Sequence, residues 1–141
     1  MKLPDVNVLV YAADARSPWH ARSAAVMRAA GRTPGGLGLA WLALLGFLRI
    51  TTRPGPLTQA LPVGTALALV QTWLDAPGAV VLNPGPQHYG LLRDLLSQAG
   101  TAGNLSSDAH LAALAIEHGA TLVTNDRDFS RFAGLSLQTL A

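Results

Sequence analysis

The sequence predicts an α/β domain, a three-layer α/β/α sandwich with a central, mainly parallel sheet. Three observations carry this. Short apolar runs alternate with stretches of helical length along the whole chain. Those short runs are almost continuously apolar, as strands covered on both faces are. Half of the 141 residues are hydrophobic and only 13% are charged, enough apolar side chain for one sizeable core. No repeat, low-complexity tract or linker interrupts the pattern, so residues 1–141 are expected to form a single domain.

The elements follow in order. LPDVNVLVYA (3–12) begins as a short strand, reaches Asp5 and continues apolar. SPWHARSAAVMRAA (17–30) reads as a helix with Ser17 as N-cap, Pro18 at the first helical position and a stripe of Trp19, Ala24, Val26 and Met27. GRTPGG (31–36) reads as a loop. A strand near 37–39 leads into a helix over 41–52, stopped by the Pro-Gly-Pro at 54–56. Another helix is expected over about 58–75. AVVL (79–82), between PG and NPGP, has the signature of a buried strand. A helix follows at about 86–99, then the loop GTAGN (100–104). In SSDAHLAALAIEHG (106–119), Ser106 or Ser107 is the expected cap, Asp108 lies in the first turn, and Gly119 follows the helix. TLVTN (121–125) is a strand, DRDFSRFAG a turn with a short helical piece, and LSLQTL (135–140) alternates like an edge strand.

Composition excludes several chemistries. With no cysteine there is no disulfide scaffold, thiolate metal site or cysteine nucleophile, which fits a reducing cytoplasm. The two Asp among the first residues break any export h-region, and the longest apolar stretch, LGLAWLALLGFL (37–48), is too short to span a bilayer. No membrane partner is expected. The net charge of +2 permits an anionic partner without demanding one. Nine of the ten basic residues are Arg, which a GC-rich genome explains more simply than a phosphate-binding surface does.

The acids carry the functional signal. Asp5 follows the first strand, Asp126 follows the strand at 121–125, and Asp108 opens the helix just before that strand. In an open parallel sheet, strand C-termini and helix N-termini meet at one edge, where sites form. Singly, each has an ordinary use: Asp108 complements a helix N-terminus and Asp126 fills a turn. Jointly, they converge. Carboxylates roughly 5 Å apart repel by about 3 kcal/mol per pair at an effective dielectric of about 20, against a domain stability of only about 5–15 kcal/mol. Such a cluster calls for a cation, and hard oxygens select Mg²⁺ or Mn²⁺ over zinc. A metal so held activates water and stabilises charge on a phosphodiester.

DVNVLVYA (5–12), WLALLGFLRI (41–50), NLSSDAHLAALAIEHGATLVTNDRDF (104–129) and FAGL (132–135) together resemble the PIN-domain ribonucleases, and most of all the VapC toxins of bacterial type II toxin–antitoxin modules. The resemblance implies a Mg²⁺- or Mn²⁺-dependent endoribonuclease that hydrolyses RNA by metal-activated water and is held in check by a VapB-like antitoxin. Asp5 matches the family's first acid, Asp108 the third and Asp126 the fourth. Asn7 matches the polar residue that supports the first acid, and Asp128 an acid that some members add. The second acid is missing. Where the family usually has Glu, three residues before an Arg, this chain has Gly46 followed by Arg49. That loss weakens the expected hold on metal, above all on a second ion. Glu117 cannot substitute, because it lies about 13 Å along its helix from Asp108 and half a turn round.

Arg49 is a candidate to reach a phosphate or to brace Asp5, with a structural salt bridge an equal alternative. Ser107 and Asn104 are candidates to hydrogen-bond the metal shell, Ser107 being equally well explained as a cap, and Thr124 and Asn125 to steer water. His110, about 200° round the helix from Asp108, reads as structural. Trp19, Trp41, Trp73, Phe129 and Phe132 are expected in the core or at an interface, and the high apolar content points to a homodimer face and an antitoxin groove. The rival reading is a degenerate PIN-like domain that binds RNA or protein without catalysis. A receiver-like switch is disfavoured, since the only lysine is Lys2 and no acidic pair opens the chain.

Overall fold

In a computed structural model that describes residues 1–55 and 59–141, the chain folds round one five-stranded sheet. The strands are β1 (Lys2–Pro4), β2 (Leu37–Leu39), β3 (Ala79–Val81), β4 (Thr121–Val123) and β5 (Leu137–Gln138), in the order β3-β2-β1-β4-β5. Every pairing is parallel. The helices are α1 (Val6–Ala13), α2 (His20–Arg32), α3 (Trp41–Thr52), α4 (Val63–Leu74), α5 (His88–Ala99) and α6 (Ser106–Glu117). One apolar layer joins α5 and α6 to Leu3, Leu122 and Phe129, and another joins α1 to α4 with Leu37 and Leu39. The expected sandwich is thus the observed one, with the sheet wholly parallel.

The order of strands places the site. The chain runs outward from β1 through β2 to β3, then returns to the other side of β1 to lay down β4 and β5. The direction of winding reverses between β1 and β4, and the crevice at their C-terminal ends is where such sheets bind ligands. Pro4 sharpens this asymmetry. It lacks an N–H and lies in the central strand, and β1 pairs with β2 only at Lys2 and Leu37. On the β4 side three pairs run from Lys2 with Thr121 to Pro4 with Val123.

Several local expectations are corrected. The apolar continuation after Asp5, for which the pattern specified no element, is a helix: Asp5 caps α1 by accepting from Val6 N at 2.7 Å. Ser17 does not cap α2; its hydroxyl accepts from Trp19 N in a turn before the helix, which starts at His20. Gly31 and Arg32, read as loop, are the last residues of α2. The fourth helix begins at Val63, and the expected start at 58 lies, with Pro56, outside the described residues. β3 is an edge strand, and Val80 is 42% exposed where a buried strand was expected. Neither Ser106 nor Ser107 caps α6, which grows directly out of a 3-10 turn at Gly103–Leu105. The strand expected to reach 125 ends at Val123.

α3 crosses α1 at Gly46. A Cβ at Gly46 would lie 2.7 Å from Val6 Cγ2, and a helical valine has little rotamer freedom to retreat. Helix propensity favours Ala over Gly by about 1 kcal/mol, whereas overpacking costs about 1–3 kcal/mol. Gly46→Ala is therefore expected to destabilise the chain in urea denaturation, and to become stabilising in a Val6→Ala background. Stabilisation in both backgrounds would show that the crossing is not tight.

Candidate functional site

Asp5, Asn7, Arg49, Ser107, Asp108 and Asp126 line one groove of about 430 Å³ at the C-terminal ends of β1 and β4. Its walls are α1, α3 and the first turn of α6.

The deepest acid is Asp5, only 9% exposed. Its Oδ1 caps α1, and its Oδ2 accepts from Thr124 Oγ1 at 2.7 Å and from Asn7 Nδ2 at 3.3 Å. Burial pushes the Asp5 carboxyl up, the Thr124 and Val6 hydrogen bonds pull it partly back, and Asp126 adds repulsion. Thr124, 1% exposed, is the hub. Its hydroxyl donates to Asp5 and accepts from Asp126 N at 3.0 Å and from Asn7 Nδ2 at 3.3 Å. Asn7 Oδ1 is buried with no hydrogen-bond partner among the described residues.

Asp108 stands in the first turn of α6. Its carboxyl is pushed up to about 6, first by burial and then by the charges of Asp5, Asp126 and Asp128. Asp126 follows β4 and holds the next turn by accepting from Asp128 N at 2.9 Å. Asp108, Asp126 and Asp128 each offer a carboxylate oxygen, all within 4.8 Å of one another. Asp5 is not in that trio, though its charge reaches Asp108. Asp128, exposed, also lies 3.8 Å from Arg131 Nη2.

Some expected members stand elsewhere. Asn125 does not line the groove: its Oδ1 accepts from Leu140 N at 2.9 Å, so it ties down the C-terminal segment. Arg49 lines the groove but braces no acid among the described residues. Asn104 is exposed in the 3-10 turn and does not line the groove. Glu117 is structural. It accepts from Gly85 N at 2.8 Å and Gln87 N at 3.0 Å, bonds that hold its carboxyl below the usual range, and so clasps the loop entering α5. His110 pairs with buried His88 at 3.0 Å, away from the acids. Sequence reasoning missed Thr124 as the hub and Val6 as the wall facing Gly46. The hub's signal was a small hydroxyl residue at the end of the strand next to β1.

The groove's acids sit within a recognised pattern: residues 2–135 match the PIN domain family. The chain belongs to the PIN domain family. Across 135 residues this PIN domain is 43% identical to Ribonuclease VapC37 of Mycobacterium tuberculosis, covering 96% of this chain and 94% of that protein. It is 40% identical to Ribonuclease VapC33 of the same species, with the same coverage. In three dimensions it resembles the crystal structure of VapBC2 from Rickettsia felis bound to a promoter DNA fragment. The TM-score is 0.67 at 20% identity, over 98% of this chain and 97% of that one, a likeness of fold.

The raised carboxyls have a consequence for stability. Asp5 and Asp108 bind protons more tightly folded than unfolded, so their contribution is fully present at low pH and is lost as pH rises through the folded value, about 6 for Asp108. Without divalent metal, thermal melts from about pH 4 to about pH 7 should show the wild type losing more stability than Asp108→Asn. Parallel profiles would show that Asp108 titrates normally.

Proposed function

We propose that this PIN domain is a Mg²⁺- or Mn²⁺-dependent endoribonuclease, the toxin of a VapBC-type toxin–antitoxin pair. The observation that carries the reading is the gathering of Asp5, Asp108, Asp126 and Asp128 about one sheet edge, in a chain 43% identical to a named VapC ribonuclease.

The donor set fits a hard divalent cation. It is all oxygen, with carboxylates from the end of β1, from α6 and from the turn after β4, and Asn7 Oδ1 lies buried without a partner among the described residues. Asp5, Asp108 and Asp126 would hold the ion, with Asp128 in support. When bound, the cation supplies charge neutralisation at the phosphate and activation of water. The chain's own residues do the rest. Thr124 and Asn7 fix the Asp5 carboxylate, and Thr124 fixes the backbone of Asp126. Leu42, Ala43 and Leu111 give the groove an apolar lining beside the acids.

A VapB-like antitoxin is the proposed partner, supported by relatives named VapC and by structural neighbours solved as VapBC complexes. A homodimer is supported by large apolar side chains left in solvent, including Trp41 at 48%, Leu45 at 58% and Tyr89 at 71% exposed. The proposed location is the cytoplasm; among the described residues no helix is long and apolar enough to cross a membrane.

The rival reading, binding without catalysis, has one observation in its favour. The position where the family carries Glu is Gly46, and Val6 stands where its side chain would begin. Cleavage of single-stranded RNA by the purified chain decides between them. Activity is expected with Mg²⁺ or Mn²⁺, abolished by chelator, and reduced about 10²–10³-fold in Asp108→Asn and Asp126→Asn. RNA binding without cleavage in either metal would establish the rival.

A further inference from the structure

We propose that Arg49 is a phosphate-binding residue of the substrate groove, engaging the RNA backbone at a phosphate other than the one that reacts beside the acids. This rests on the ribonuclease reading and gives chemistry to the far wall of the same groove.

Among the residues that line the groove, the charged ones are Asp5, Asp108, Asp126 and Arg49. Arg49 is exposed on α3 and forms no ion pair or side-chain hydrogen bond among the described residues. An arginine among acids has two uses. It neutralises them through contact, or it takes up an anion that the acids alone would repel. Among the described residues contact is absent. The second use remains.

The surface around Arg49 suits a nucleic-acid strand. Val6, Val10, Gly46 and Ile50 form an apolar strip that carries no side-chain donor or acceptor. Gly46, one turn before Arg49, is covered by Val6, so the strip's surface is that of Val6, Val10 and Ile50. Sugar and base can lie there with a phosphate at either end. Past Val10 and Ile50 the hollow continues to Ala13, Asp14 and Arg16, which gives a strand room to leave. Arg16 already lies 3.5 Å from Asp14, so Arg49 is the cation with no carboxylate of its own along this path.

The test is fluorescence anisotropy of a short labelled single-stranded RNA of mixed sequence, with Ca²⁺ present, over a series of NaCl concentrations. Arg49→Ala should weaken binding by about tenfold at ~0.1 M salt and make the slope of log K against log [salt] shallower by about 0.7, one phosphate contact on a single strand. Arg49→Lys should keep most of the slope, since it keeps the charge. Arg93→Ala, which removes an arginine paired with Asp94 on α5, should leave slope and affinity unchanged. Calorimetric Mn²⁺ affinity and melting temperature should be the same in Arg49→Ala as in the wild type. An unchanged salt slope in Arg49→Ala overturns the proposal, whatever the affinity. If the wild type meanwhile cleaves RNA with Mn²⁺, the ribonuclease reading stands without it. If the wild type neither binds nor cleaves RNA with Mg²⁺ or Mn²⁺, both fall.

Discussion

Burying carboxylates side by side at one sheet edge, with the repulsion that follows, is the constraint round which this structure is arranged. Winding the sheet outward from β1 in both directions brings Asp5 and Asp126 to adjacent strand ends, and α6 delivers Asp108 between them. Each acid meets that repulsion differently. Asp5 is stabilised by Val6 N, Thr124 and Asn7. Asp126 holds Asp128 N and is itself held by Thr124. For Asp108 no hydrogen bond among the described residues offsets burial and three neighbouring charges, and its carboxyl is pushed up to about 6. It is the member of the set that answers most directly to an added cation.

Rigidity at the edge comes from distant parts of the chain. Thr124 N donates to Gln138 O at 3.0 Å, Asn125 holds Leu140 N, and Arg22 Nη1 donates to Leu140 O at 2.8 Å. Leu140 itself is buried with Val8 and Val123. The turn that presents Asp126 is thus clamped between the central strand and the C-terminal segment. This support lets a site made of three separate segments keep its spacing while its charges push it apart.

The sheet, the helices and the three principal acids were legible in the sequence because they depend on local periodicity and on a rule about where parallel sheets place their loops. The helix over 41–52 and the strand at 37–39 needed nothing more. What was not legible depends on which strands become neighbours. AVVL looks buried by composition, but its strand lies at the sheet edge. VNVLVYAA does not declare its element by pattern, and the Asp5 cap and packing against α2 and α3 make it helix. The roles of Thr124 and Asn125 could not be told apart from their order, since one hydroxyl turns to Asp5 and the next amide turns to Leu140. The contact between Val6 and Gly46 likewise exists only once α1 and α3 cross.

Carboxyl-detected NMR titration of Asp108, with and without saturating Mg²⁺, tests the central claim most directly. The account expects a metal-free pKa of about 6 that falls below about 4 when the cation is bound, as a ligand carboxylate's must. An ordinary value near 4 without metal, unmoved by Mg²⁺, would mean that these acids neither crowd one another nor share an ion.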